Sequence, residues 1–171
     1  MEIWQLRAEE GRRHVGALAE VLLDCVAGGA SVSFLASLTR VEAEAFFEHV
    51  LQGVQLGERI LLAAFQDSKV IGTVQIVNAT APNQPHRADI AKLLVHRSAR
   101  GQGVAAKLMR HAEEVSLGAG RTLLTLDTVT GGVAERLYAS LGWTLGLDQG
   151  WRDPSLCTVP RRPAMRHHDF L

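Results

Sequence analysis

The stretch that most constrains the fold is Leu93-Leu94-Val95-His96-Arg97-Ser98-Ala99-Arg100-Gly101-Gln102-Gly103-Val104-Ala105. An apolar strand, read over residues 89–95, gives way to a short polar loop with two glycines and then to a helix over 103–117. That helix carries Val104, Leu108, Ala112 and Val115 on one face and stops at Gly118-Ala119-Gly120. A glycine loop entering a helix leaves unpaired N–H groups at the positive end of the helix dipole, so this junction is a ready anion site. Residues 121–128 follow as a strand whose Leu123, Leu124 and Leu126 suggest burial on both faces, as in a parallel pair.

The other elements build around this unit. Residues 3–7 read as a first strand, and Val15, Leu18, Ala19, Leu22 and Val26 recur at helical spacing up to Gly28-Gly29. A second helix over 41–56 aligns Ala43, Phe46, Phe47, Val50, Leu51 and Val54. Residues 59–66 and 69–78 form an antiparallel hairpin joined by Asp67-Ser68, with Gly72 marking a bulge or a close approach. Pro82 and Pro85 make 79–87 a loop. A last helix over 133–141 ends at Gly142, before a short strand near 143–147. The order predicts an α/β (α+β) chain with a mixed sheet and one parallel strand–helix–strand crossover.

With 171 residues, 47% of them hydrophobic, the chain can bury one core. Eighteen Lys and Arg balance eighteen Asp and Glu, so no net field draws it to nucleic acid or an anionic membrane. Cys25 and Cys157 have no metal-ligand or disulfide-framework spacing, and no metal site is expected. His14, His49 and His111 have no partner at ligand spacing, and His167-His168-Asp169 makes a poor metal site. The absence of a basic start or a long apolar run suggests a cytoplasmic protein and no membrane partner.

Gly101-Gln102-Gly103-Val104-Ala105-Ala106 also fits a dinucleotide fingerprint, G-x-G-x-x-A, with Asp127 ending the next strand. The loop between Val95 and Gly101 is too long for that motif, and too little chain follows Asp127 for the rest of a doubly wound sheet. The segment instead resembles the GNAT superfamily of N-acetyltransferases, whose R/Q-x-x-G-x-G/A signature is matched by Arg100, Gly103 and Ala105. Ala134-Glu135-Arg136-Leu137-Tyr138-Ala139-Ser140-Leu141-Gly142-Trp143 resembles the same superfamily's A-x-x-L-Y-x-x-x-G-F stretch. Val26-Ala27-Gly28-Gly29-Ala30-Ser31-Val32, Ala91-Lys92-Leu93, Ser98-Ala99-Arg100-Gly101 and Leu126-Asp127-Thr128 are similar to the tabtoxin-resistance acetyltransferases within it.

The resemblance implies a GNAT-like, mostly antiparallel twisted sheet with helices on both faces, spanning residues 1–147. It implies acetyl-CoA (coenzyme A) as cofactor. Arg100, Gly101, Gln102, Gly103, Val104 and Ala105 would wrap its pyrophosphate, and backbone groups of Leu93, Leu94 and Val95 would hold the pantetheine arm and polarise the thioester. Tyr138 matches a family tyrosine placed near the sulfur and is the candidate general acid, against a plain packing role. Asp127 is a candidate base for the amine, against capping of the next turn. Asp89 matches an acidic position of the tabtoxin-resistance proteins, against a surface pairing with Arg87 or Lys92.

The chain departs from the pattern at two places. Gly131 stands where the superfamily often has an asparagine that binds the pantetheine arm. Residues 148–171 turn to Arg, Pro and His where a final strand should line the acceptor site, and Pro160 and Pro163 argue against a central strand. This atypical tail suggests an acceptor pocket that is incomplete or closed by a partner copy in a homodimer. The function expected is acetyl transfer to a primary amine of a small molecule, in toxin or antibiotic resistance. A protein or N-terminal acetyltransferase and a non-catalytic acyl-CoA-binding module are the alternatives.

Overall fold

The computed structural model describes residues 1–30, 37–81, 83–129, 131–144 and 156–158. Strands β1 (Glu2–Leu6), β2 (Arg59–Gln66), β3 (Lys69–Asn78), β4 (Arg87–Val95) and β5 (Leu123–Thr125) lie side by side in that order. The first four are antiparallel and β4–β5 is parallel. Helices α1 (Ala8–Arg12), α2 (Val15–Ala27) and α3 (Arg40–Gln55) come before the hairpin. The crossover helix is α4 (Val104–Gly118), and α5 (Val133–Ser140) follows β5.

The sheet is covered on both sides because β2 and β3 are apolar at nearly every position. Leu62, Ala64, Val74 and Ile76 face α4, packing with Leu108, Met109 and Ala112. Leu61, Ala63 and Phe65 face α2 and α3, packing with Leu18, Leu22, Phe47 and Leu51. Each fully buried leucine or phenylalanine removed from water stabilises the fold by about 1.5–3 kcal/mol. Asp67 and Ser68, both at positive φ, turn β2 into β3, the two-residue connection whose twist suits a hairpin. Gly72 is both of the things its sequence suggests. The β2–β3 register slips beside it, and a Cβ there would lie 2.8 Å from the Leu94 carbonyl and 3.2 Å from Leu108 of α4.

Two features of β4 and β5 shape the centre of the molecule. Thr73 pairs with Leu94 and Gln75 with Ala91, so two residues of β4, Lys92 and Leu93, oppose Val74 alone. Lys92 takes a positive φ of 50° at this bulge. The inserted residue reverses the alternation. Ala88 and Ile90 point into the α4 core, but beyond the bulge Leu94 belongs to the α2–α3 core. The β4–β5 ladder covers only Arg87↔Leu123, Ala88↔Leu124 and Asp89↔Thr125.

The expectation of a single strand over 121–128 is corrected. The chain leaves the main sheet at Leu126, and β6 (Asp127–Val129) forms a separate two-stranded sheet with β7 (Leu156–Thr158). Trp143 and Thr144, expected to open a strand, are not in one, and the rest of that segment lies outside the described residues. β7 lies within the tail read as having no strand. It falls between Pro154 and Pro160 and contains neither, so the incompatibility of proline with a ladder is respected.

Candidate functional site

Between β4 and α4 the chain makes a short 3₁₀ turn, Arg97–Ala99, and then passes Gly101 at φ 74° and Gly103 at φ 76°. Among the described residues nothing crowds either glycine, so the left-handed backbone is what excludes a side chain. Gly103 is the N-cap of α4 and provides no capping side chain. The first helical bond runs from Lys107 N–H to the Gly103 carbonyl at 3.1 Å. Among the described residues, the main-chain N–H groups of Gly101, Gln102, Gly103, Val104, Ala105 and Ala106 meet no acceptor. This row of open donors at the positive end of a 15-residue helix fits a pyrophosphate.

The loop is braced from below. Asp24, on α2 with its side chain 7% exposed, accepts the Arg97 main-chain N–H at 2.8 Å and the Arg97 guanidinium Nε–H. Arg100 Nη2 lies 3.9 Å from Asp24, and His96 Nε2 is 3.5 Å away. Burial works to raise the Asp24 pKa. The Arg97 hydrogen bonds, with the His96 and Arg97 charges, outweigh it and hold the carboxyl below its usual value. Arg100 also donates from Nε to the Val95 carbonyl at 3.1 Å, and its Nη2 lies 3.8 Å from the buried Cys25 Sγ. The motif arginine therefore turns inward, while Gln102 Nε2 donates to the Ser98 carbonyl at 2.9 Å. Asp24 was missed in the sequence, although a lone acid inside the apolar run Val21-Leu22-Leu23-Asp24-Cys25-Val26 was a signal.

Past Asp89↔Thr125 the β4–β5 ladder ends, leaving the β5-facing edge of Leu93, Leu94 and Val95 beyond it. Asp89 sits at the fork, accepts from the Thr125 hydroxyl and lies 3.4 Å from Arg87 Nη2, so the pairing with Arg87 is formed. Lys92, half-buried at the bulge, has its ammonium pKa pushed down by burial. Asp127 opens β6 just beyond the fork and is exposed.

Tyr138 of α5 belongs to the same core as Ala99 and Val104 of the loop. It is 7% exposed, burial pushes its pKa up to about 12, and its hydroxyl meets no partner among the described residues. Its ring lies 6.1 Å from that of Trp143, whose Nε1 donates to Glu113 of α4 at 2.8 Å. Gly131, in place of an asparagine, has φ 75° at the turn into α5. Two surface hollows, beside Trp4 and His14, lie at the β1 edge, far from this loop. Among the described residues no cluster of His, Cys, Asp and Glu gathers to hold a metal. No helix among them is long and apolar enough to cross a membrane.

Comparison with known proteins agrees with this geometry. The Acetyltransferase (GNAT) family model matches residues 34–143. Among solved structures, the chain is similar to the ribosomal-protein-alanine N-acetyltransferase of Brucella melitensis, with TM-score 0.76, 17% identity and coverage of 95% of this chain and 99% of that one. It is also similar to yncA of Salmonella typhimurium, solved with its cofactor acetyl-CoA, with TM-score 0.74, 18% identity and coverage of 97% and 95%. An aminoglycoside 6'-acetyltransferase type Ii matches at TM-score 0.73 and 16% identity, covering 97% and 99%. At these identities the likenesses speak for the fold. The family match spans more than half of the chain, so it belongs to the acetyltransferase (GNAT) family, enzymes whose acetyl donor is acetyl-CoA.

Proposed function

We propose that this enzyme transfers an acetyl group to the primary amine of a small molecule, with the glycine loop and the β4–β5 fork as its donor site. The observation that carries the reading is the fork itself. Open main-chain donors from Gly101 to Ala106, among the described residues, lie at one end of it, and the edge of Leu93, Leu94 and Val95 beyond the β4–β5 ladder lies along it. Bound acetyl-CoA supplies a thioester carbonyl for attack by a neutral amine and a sulfur that leaves with a proton.

In this reading the chain's own groups divide the work. Gly101, Gln102, Gly103, Val104 and Ala105 bind phosphate oxygens through their N–H groups, and Arg100 acts as a positioning residue that ties the loop to Val95 and α2. The β4 edge orients the pantetheine amides, with the Lys92 bulge setting which N–H groups face the fork. Tyr138 holds a proton on its hydroxyl throughout the neutral range and is the donor to sulfur. Asp127, exposed beyond the fork, takes the proton from the amine. Asp89 holds the fork through Arg87 and Thr125 and is the lesser candidate.

The detoxification role suggested by the tabtoxin-resistance resemblance, and a cytoplasmic location, belong to the same proposal. Residues 31–36 and most of 148–171, where an acceptor pocket or a homodimer contact would be sought, lie outside the described residues. The test is release of free thiol from acetyl-CoA with a panel of small amines and a panel of peptides. Turnover of small amines supports the reading. Turnover of peptides alone makes the enzyme a protein acetyltransferase, and binding of acetyl-CoA with no turnover makes the chain a binding module.

A further inference from the structure

On the sheet face opposite α4, Arg59 and Gln75 form a polar pair inside the α2–α3 core. Arg59 Nη1 donates to Gln75 Oε1 at 3.2 Å. Gln75 is 1% exposed, yet among the described residues its Nε2 meets no acceptor, and neither does the buried Arg59 Nε. Two neighbouring buried donors without acceptors are rare in a folded protein and call for an oxygen-bearing group. No carboxylate of the described residues forms a salt bridge with Arg59. A part-buried cation without a counter-charge is disfavoured unless something supplies one.

The place of the guanidinium is set by α3. Gly53 lies inside that helix, where glycine weakens it, and a Cβ there would fall 2.6 Å from Arg59 Nε. Any larger residue would displace the guanidinium. The position relative to the fork is given by the ladders, in which Gln75 pairs with Ala91 and Arg59 with Val77, itself opposite Asp89. Gln75 is thus one strand from β4 and Arg59 two, roughly 5 and 10 Å at the usual strand spacing. This pair lies on the α2–α3 face of the sheet and α4 on the other, so an acceptor held by Arg59 approaches the fork from the α2–α3 side.

We infer that Arg59, steadied by Gln75 and Gly53, binds a carboxylate of the acceptor, and that the acceptor is an amino acid whose reacting amine stands several ångströms from that carboxylate. This rests on the acetyltransferase reading above and adds the acceptor's chemical class. An α-amino acid, whose amine and carboxylate are only about 3 Å apart, does not span the distance. An ω-amino acid or a small peptide-like amino acid does. Arg59 is only part-buried, so an anion reaches the guanidinium from solvent, with the Gln75 amide as floor.

The test is calorimetric titration of the coenzyme A-loaded protein with ε-aminocaproate, glycine and hexylamine, followed by acetyl-CoA turnover with each. Wild type is expected to bind and acetylate ε-aminocaproate at least ~10-fold better than hexylamine or glycine, as a charge-assisted contact predicts. Arg59→Met removes that preference, with coenzyme A binding in the same titration reporting that the variant is folded. Arg59→Lys keeps part of it, and Gly53→Ala, which only pushes the guanidinium, weakens it. Equal use of ε-aminocaproate and hexylamine by wild type overturns the inference and leaves the enzyme an amine acetyltransferase. Arg59-dependent binding of ε-aminocaproate with no acetylation of any amine overturns the functional reading and upholds the carboxylate site.

Discussion

Asp24 and Arg97, 73 residues apart, are joined by two hydrogen bonds from the arginine to the carboxylate, one from its main chain and one from its guanidinium. A third, from Arg97 Nη2, reaches the Asp24 carbonyl at 3.2 Å. The C-terminal part of α2 therefore carries the loop that leads into α4. Whatever α4 binds at its N-terminus depends on a residue from the first helical pair.

Asp24→Asn is expected to lower stability by about 1.5–3 kcal/mol, the usual worth of hydrogen bonds to a charged group. It should also raise the KM for acetyl-CoA more than it lowers kcat. The Asp24 pKa is lowered from 3.8 in the folded state, so its contribution is present above that value and is lost as pH falls through the depressed one. Urea unfolding of wild type and variant between neutral pH and pH ~3 should show the gap closing only in the acid range.

Gly103→Ala places a Cβ on a residue at φ 76° in open space, so the cost is conformational, about 1–2 kcal/mol. Gly72→Ala meets the Leu94 carbonyl at 2.8 Å and must move β4 or α4. Thermal denaturation should rank Gly72→Ala as the more damaging to Tm. Acetyl-CoA titration should show Gly103→Ala losing affinity beyond its small effect on stability.

Tyr138→Phe is expected to reduce kcat by roughly 100-fold or more with little change in KM, as removal of a general acid does. Stability should hardly change near neutral pH, since the hydroxyl meets no partner among the described residues. Burial raises the Tyr138 pKa from 10.0 to about 12, so the folded state keeps a proton that the unfolded chain releases earlier. The associated stability is full below pH 10.0 and falls as pH rises toward about 12. Alkaline unfolding curves of the phenylalanine variant should lack that component. A wild-type kcat that falls with an apparent pKa near 8 through loss of an essential acid would count against Tyr138.

The two aspartates at the fork separate by readout. Asp127→Asn should cut kcat by about 100-fold, measured as release of free thiol from acetyl-CoA. Asp89→Asn, which weakens the link to Arg87 and the Thr125 hydroxyl, should cost about 1 kcal/mol of stability and less than ~10-fold in rate. The reverse pattern would assign the base to Asp89.

Much of this molecule is written locally. The β2–β3 hairpin, the α2, α3 and α4 stripes and the glycine loop follow from apolar periodicity and turn chemistry over a few residues, and the family signature lies in the same short stretches. What the sequence alone could not show depends on contacts between distant segments. The strand expected over 121–128 breaks at Leu126 because one half pairs with β4 and the other with β7. The bulge at Lys92 arises from register against β3, and β4's own run of apolar residues does not announce it. Arg100 reads as a phosphate ligand in its motif, yet α2 presents Asp24 and Cys25 beneath it and draws its guanidinium inward. Charge and hydrogen-bond partners are chosen in three dimensions, so the sequence determined the elements and the cofactor loop, while tertiary packing decided which side chains brace the site.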